Sequence, residues 1–274
     1  MHKPKAIFLD LDGTLLSGDK TIPAENTAAI QEAAQLGTQI VLCSGRPPVT
    51  MQNIIRELGL DTLGGTAICF NGAALYDCGN GRMLQASRLD PDLVRAVFSE
   101  ADALGIHTQV YDAGGLVTRS MDRETEFYMK TTGIPDRLLP SLPDGLTEMP
   151  CKMLCISLDD PDRLETLKQR LLASYGARIN VFYSSESFLE IVRTGVDKGS
   201  GIRQLCRLLQ ISPEDTIGVG DSENDLSMLH TVGFACCMAN GTGECKAAAD
   251  YITERDCDHG GVAEVIRRFL LEVS

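Results

Sequence analysis

The run Asp10-Leu11-Asp12-Gly13-Thr14-Leu15, set directly behind the apolar stretch Ala6-Ile7-Phe8-Leu9, constrains this chain more than any other feature. A short continuous apolar run reads as a strand buried on both faces, the kind from which parallel sheets are built. Open α/β sheets bind ligands in the crevice beyond the carboxyl ends of such strands, so Asp10 and Asp12 are expected at that crevice. Strand alternation aims both carboxylates to one side, and Gly13 lets the chain turn away. Carboxylates this close repel unless they share a proton or a cation. Mg²⁺, a hard ion that prefers carboxylate and water oxygens, meets that need. Asp and Gly are also ordinary turn residues, so by itself the motif leaves a plain turn before a helix equally open.

Three later segments add to it. Ile40-Val41-Leu42-Cys43 is a second apolar strand, followed by Ser44-Gly45-Arg46, which offers a hydroxyl, a bare backbone and a guanidinium suited to phosphate. Far downstream, Gly195-Val196-Asp197-Lys198-Gly199 opens a helical pattern and supplies one ammonium. Thr216-Ile217-Gly218-Val219 is another strand, ending in Gly220-Asp221-Ser222-Glu223-Asn224-Asp225. Strand ends that supply carboxylates, a hydroxyl and a cation describe a metal-assisted phosphate site. The plainer roles here are helix capping by Asp221, Asn224 and Asp225 and surface charge for Arg46. A cation at a helix start opposes the macrodipole, which speaks against a merely solvated Lys198.

The organisation of the chain points to two domains. Up to about Leu84, strands alternate with helical patterns over 24–36 and 48–58, which implies a parallel sheet with right-handed crossovers. Residues 75–77 and 82–84 read as a hairpin around Gly79-Asn80-Gly81. Helical patterns over 91–104 and 162–174 then mix with strands over 106–111, 152–158, 179–183 and 188–192, an α+β arrangement with an antiparallel sheet. The expected fold is therefore α/β, with a Rossmann-like doubly wound parallel sheet as core and an inserted α+β cap. Residues 1–84 and 188–274 are assigned to the core and 85–187 to the cap.

Composition narrows the functional classes. A net charge of −13 disfavours nucleic acid, whose binding relies on basic surface. No apolar stretch approaches the roughly 20 residues that span a bilayer, and the two aspartates interrupt any secretory h-region, so a cytoplasmic protein without membrane partners is expected. The chain has ten cysteines. Of these, Cys43, Cys69, Cys151, Cys155 and Cys236 lie in strand-like apolar runs, where free thiols pack as small hydrophobes. Cys151-x-x-x-Cys155 lacks the partner ligands of a zinc site.

The four segments, in order and context, resemble the four motifs of the haloacid dehalogenase superfamily of phosphohydrolases. The likeness is to its Cof-type branch, which carries a large type IIB α/β cap between the second and third motifs. Phe70-Asn71-Gly72-Ala73 and Gly260-Gly261-Val262-Ala263-Glu264-Val265-Ile266 match further features of that branch. Met238-Ala239-Asn240-Gly241 departs from its usual Met-Gly-Asn-Ala and puts the backbone shape of that loop in question.

The resemblance implies a phosphatase in which Asp10 is the nucleophile and Asp12 the general acid and base. Mg²⁺ would be held by the Asp10 carboxylate, the Asp12 backbone carbonyl and Asp221. Ser44, Gly45, Lys198 and Asn224 would meet the phosphoryl oxygens, with Arg46 and Asn71 at the substrate and Asp225 orienting Lys198 or a metal-bound water. The cap would exclude water and select substrate. Sugar phosphates, pyridoxal phosphate or nucleotides are the implied small phosphorylated metabolites, and a monomer or weak dimer is expected. The alternatives are a phosphomutase of the same superfamily, a receiver-like phosphorylated domain and a silent phosphate-binding module.

Overall fold

A computed structural model of the chain describes residues 4–112 and 114–272. The first strand, β1 (Ala6–Asp10), is buried along its whole length, as its continuous apolar run requires. Helix α1 (Ala24–Gln35) leads to β2 (Gln39–Cys43), and α2 (Pro48–Glu57) and α3 (Leu60–Leu63) lead to β3 (Thr66–Cys69). A hairpin of β4 (Ala74–Asp77) and β5 (Arg82–Ala86) follows. Next come α4 (Pro91–Ala103), β6 (His107–Asp112), β7 (Gly115–Thr118), α5 (Arg123–Thr132), β8 (Asp136–Leu138), β9 (Lys152–Ile156), α6 (Pro161–Tyr175), β10 (Ile179–Ser185) and β11 (Phe188–Arg193). The chain closes with α7 (Lys198–Leu209), β12 (Thr216–Gly220), α8 (Leu226–Leu229), β13 (Phe234–Cys237), α9 (Gly243–Ala247), β14 (Tyr251–Ile252) and α10 (Gly261–Ile266).

Two compact units result: residues 1–46, 51–85 and 197–274 form one, and 47–50 with 86–196 the other. The first is built on an eight-stranded sheet ordered β14-β13-β12-β1-β2-β3-β4-β5. All pairings from β14 across to β3 are parallel, and β4 turns back against β3. The chain winds outward from β1 through β2 and β3, then returns to β12 on the other side of β1. That reversal makes β1 and β12 the switch point of the sheet, where the crevice of such folds opens. One face is packed by Phe8, Val41 and Ile68 against Ile202, Leu205 and Met228.

The second unit holds a six-stranded sheet ordered β10-β11-β9-β6-β7-β8, antiparallel except for β7 beside β8. Helices α4 and α6 bury Leu93, Val97, Phe98, Leu164, Leu167 and Leu171 against Val110, Met153, Leu189 and Ile191 of that sheet. The α/β class and the parallel core agree with the sequence reading. The second unit, however, extends to Val196 instead of ending at residue 187. Phe188–Arg193 pairs with β9 and β10, so β11 is an inner strand of the second sheet and not the first element of the returning core.

Candidate active site

Asp10 is the last residue of β1, and its side chain is 7% exposed. Asp221 follows immediately on β12, so the two adjacent parallel strands deliver both carboxylates to the same end of the sheet. Gly13 makes the close approach possible. Its φ is +84°, and a Cβ there would lie 2.5 Å from Asp221 Oδ2. Thr14, fully buried, donates from Oγ1 to Asp221 Oδ1 at 3.0 Å.

Lys198 is the first residue of α7, whose start is fixed by a reciprocal cap between Asp197 and Ser200. Its fully buried ammonium donates to Asp10 Oδ1 at 2.5 Å and to Asp225 Oδ1 at 2.6 Å. The other oxygen of Asp225 accepts from the backbone N–H groups of Asp221 and Ser222 at 3.0 and 3.1 Å. Both oxygens of Asp225 are thus engaged, one by Lys198 and the other by the backbone.

Oxygens of Asp10, Asp221 and Asp225 come within 4.8 Å of one another around that single ammonium. Burial pushes the Asp10 carboxyl up to about 8; Lys198 pulls it back in part, while Asp225 and Asp221 add to the rise. Burial and then Asp225 raise Asp221 too. Burial would draw the Lys198 proton off, yet Asp10 and Asp225 outweigh it and hold the ammonium charged. With all three carboxylates ionised, the one ammonium leaves two negative charges unbalanced. A divalent hard cation matches both that excess and the all-oxygen donor set, so the residues present fit Mg²⁺.

Asp12, two residues on, has different partners and a half-exposed side chain. Arg46 donates to it from Nε at 3.0 Å and from Nη2 at 2.6 Å, and Lys20 Nζ reaches Oδ1 at 2.9 Å. Burial would raise Asp12, but the Arg46 and Lys20 contacts outweigh it and hold the carboxyl below its usual range. Lys20 escapes a sequence reading, because nothing in a lone cation eight residues downstream signals that the intervening turn folds it back. Thr14 was open to detection, as it lies within the motif.

Asp10 lies opposite Cys43 in the register, so Ser44-Gly45-Arg46 emerges beside it. Ser44 is buried, and its Oγ accepts from the Arg46 backbone N–H at 3.2 Å. The turn at Phe70 and Asn71 has φ of +53° and +54°, and it is laced to this loop by Phe70 N to Arg46 O and Asn71 N to Ser44 O. The Asn71 amide sits over Gly45, where a Cβ would lie 3.0 Å from Nδ2, and its buried Oδ1 has no hydrogen-bond partner among the described residues. Asn224 is exposed, with Oδ1 accepting from the Ser222 hydroxyl at 2.8 Å.

The departing loop keeps a defined shape. Asn240 donates to Gly13 O at 2.7 Å and accepts from Cys257 N at 3.0 Å, while Thr242 N donates to Asp221 O at 2.8 Å. Neither Ala239 nor Gly241 adopts a left-handed φ, so their exchange relative to the branch pattern demands no backbone strain.

A family model described as haloacid dehalogenase-like hydrolase matches residues 7–266. The chain belongs to that family. This hydrolase is 31% identical to a haloacid dehalogenase-like hydrolase of Bacteroides thetaiotaomicron of known crystal structure, with a TM-score of 0.90 over 97% of this chain and 99% of the other. A crystal structure from Thermotoga maritima shares 29% identity and a TM-score of 0.87, over 98% and 97% of the two chains. A Bacillus subtilis 5-amino-6-(5-phospho-D-ribitylamino)uracil phosphatase is 28% identical across 97% of this hydrolase and 98% of its own length. Relatives and fold together indicate a phosphatase, and phosphatases of this superfamily use a metal ion. All ten cysteines are buried free thiols, and no helix among the described residues is long and apolar enough to cross a membrane.

Proposed function

We propose that this hydrolase is a Mg²⁺-dependent phosphomonoesterase that acts on small phosphorylated metabolites such as sugar phosphates, pyridoxal phosphate or nucleotides, through an aspartyl-phosphate on Asp10. The buried Lys198 ammonium shared by Asp10 and Asp225 is the observation that carries the reading. It points the Asp10 carboxylate from the strand end, where attack on phosphorus needs no separate base. The Asp10 carboxylate, the Asp12 carbonyl and Asp221 are the groups that would hold Mg²⁺, which when bound withdraws charge from the phosphoryl oxygens.

In the first step an Asp10 oxygen bonds to phosphorus as the bond to the leaving oxygen breaks, and Asp12 gives that oxygen its proton. In the second, Asp12 takes a proton from water, whose oxygen bonds to phosphorus as the Asp10–phosphorus bond breaks, releasing inorganic phosphate. Lys198, the Ser44 hydroxyl and the Gly45 N–H offset charge on the phosphoryl oxygens, with Asn224 adding an amide. Arg46 and Asn71 bind the substrate. Within the same reading the protein works in the cytoplasm as a monomer or weak dimer, without nucleic-acid or membrane partners.

Purified protein with Mg²⁺ should hydrolyse p-nitrophenyl phosphate and at least one member of a phosphometabolite panel. EDTA should abolish the activity and added Mg²⁺ restore it. Absence of hydrolysis across the panel with Mg²⁺ present contradicts the reading.

A further inference from the structure

A proton donor cannot work from where Asp12 is held. Both of its oxygens are taken, Oδ2 by Arg46 Nε and Oδ1 by Arg46 Nη2 and Lys20 Nζ together. Two cations face one carboxylate, so this spot carries an excess positive charge on a chain whose net charge is −13. The Lys20 side chain is 61% exposed, but the backbone that carries it is fixed beside Asp12. Lys20 has a φ of +67°, a left-handed conformation that lysine seldom adopts. A tight turn imposes it: Lys20 N donates to Ser17 O and Ser17 N to Thr21 O, both at 2.9 Å. Within the turn Ser17 Oγ donates to Asp19 Oδ1 at 2.6 Å, and Gly18 N anchors it to Asp258 Oδ1 at 2.7 Å. Backbone strain persists where the surroundings over-determine it, and such places cluster at ligand clamps.

We propose that Lys20 and Arg46 form a seat for a second anionic group on the organic part of the substrate, a carboxylate or a further phosphate, and that Asp12 fills this seat until the substrate takes it. The inference rests on the phosphatase reading, in which Asp12 must leave its cations to reach the leaving oxygen. An arriving anion keeps both cations paired as Asp12 departs, so binding of the right substrate frees the Asp12 carboxylate to take up a proton from solvent and then serve as the acid. The guanidinium fork suits a planar carboxylate or a phosphate, and the Lys20 ammonium adds a point charge beside it.

Matched substrates test this on the full-length protein with Mg²⁺. Glycerol 3-phosphate is compared with 3-phosphoglycerate for the carboxylate, and propanediol monophosphate with propanediol bisphosphate for the phosphate. The parent should prefer the anion-bearing member of at least one pair about tenfold or more in kcat/KM, and whichever pair shows the preference identifies the group. Lys20→Met should erase most of that preference through KM, and Lys20→Arg should restore it. Equal losses for both members of each pair in Lys20→Met, or a parent with no preference for the member bearing the second anionic group in either pair, overturn the inference while leaving the phosphatase reading intact. A parent that cannot turn over p-nitrophenyl phosphate overturns both.

Discussion

Asp225 divides its two oxygens between the Lys198 ammonium and the backbone N–H groups of Asp221 and Ser222. Lys198 keeps its bond to Asp10 when Asp225 is removed, but the two part-buried N–H groups lose their acceptor, at up to about 1–3 kcal/mol each. Asp225→Ala should therefore lower unfolding stability by about 1–3 kcal/mol in urea titrations, and Asp225→Asn, which keeps one acceptor oxygen, should lose less. An Asp225→Ala protein as stable as the parent contradicts the positioning role given to this carboxylate. The acidic members of the site were legible in the sequence because each is tied to a strand end that its apolar run announces: Asp10 behind Ala6–Leu9, Asp221 behind Thr216–Gly220. Lys20 was not. Its meeting with Asp12 depends on a turn whose side-chain bonds among Ser17, Asp19 and Thr21 form only once the chain folds.

At the scale of elements, the loop between β13 and α9 ties two parts of the site together, since Asn240 grips Gly13 and Thr242 grips Asp221. Gly241 fits there because Cys237 Sγ and the Met238 carbonyl oxygen occupy the space that a Cβ would need. Overpacking of this sort costs roughly 1–3 kcal/mol. Gly241→Ala should show that loss in chemical denaturation, and its cost should be smaller in a Cys237→Ala background, with the Met238 carbonyl oxygen keeping the rest, a coupling expected only of residues in contact. Additive effects of the two changes would show that the clash is relieved elsewhere. The same scale holds what sequence could not decide about β11. Phe188-Leu189-Glu190-Ile191-Val192 reads plainly as a strand, but its residues do not say which sheet it joins; the ladders to β9 and β10 do.

At the scale of the whole molecule, a chain of net charge −13 repels a phosphate ester, and in the proposed reaction local cations and a bound metal offset that field. The buried Asp10 carboxyl, pushed up to about 8, links that metal to pH. An unfolded aspartate titrates near about 3.9, so without metal the folded form keeps a proton that the unfolded chain has lost. Stability from this group is complete below the unfolded value and drains away as pH rises toward 8. Mg²⁺ must displace the same proton, so its effect on Tm should be larger at about pH 8 than at about pH 5. Equal Tm shifts at both values would contradict the link. The central claim, however, is that Asp10 itself carries the phosphate, and rapid-quench labelling with an activated aryl phosphate tests it most directly. The parent and Asp12→Ala should both become labelled at Asp10, with Asp12→Ala losing the label about 10²–10⁴-fold more slowly, and Asp10→Asn should take up none; a phosphoenzyme in Asp10→Asn, or equally fast dephosphorylation in Asp12→Ala and the parent, would contradict it.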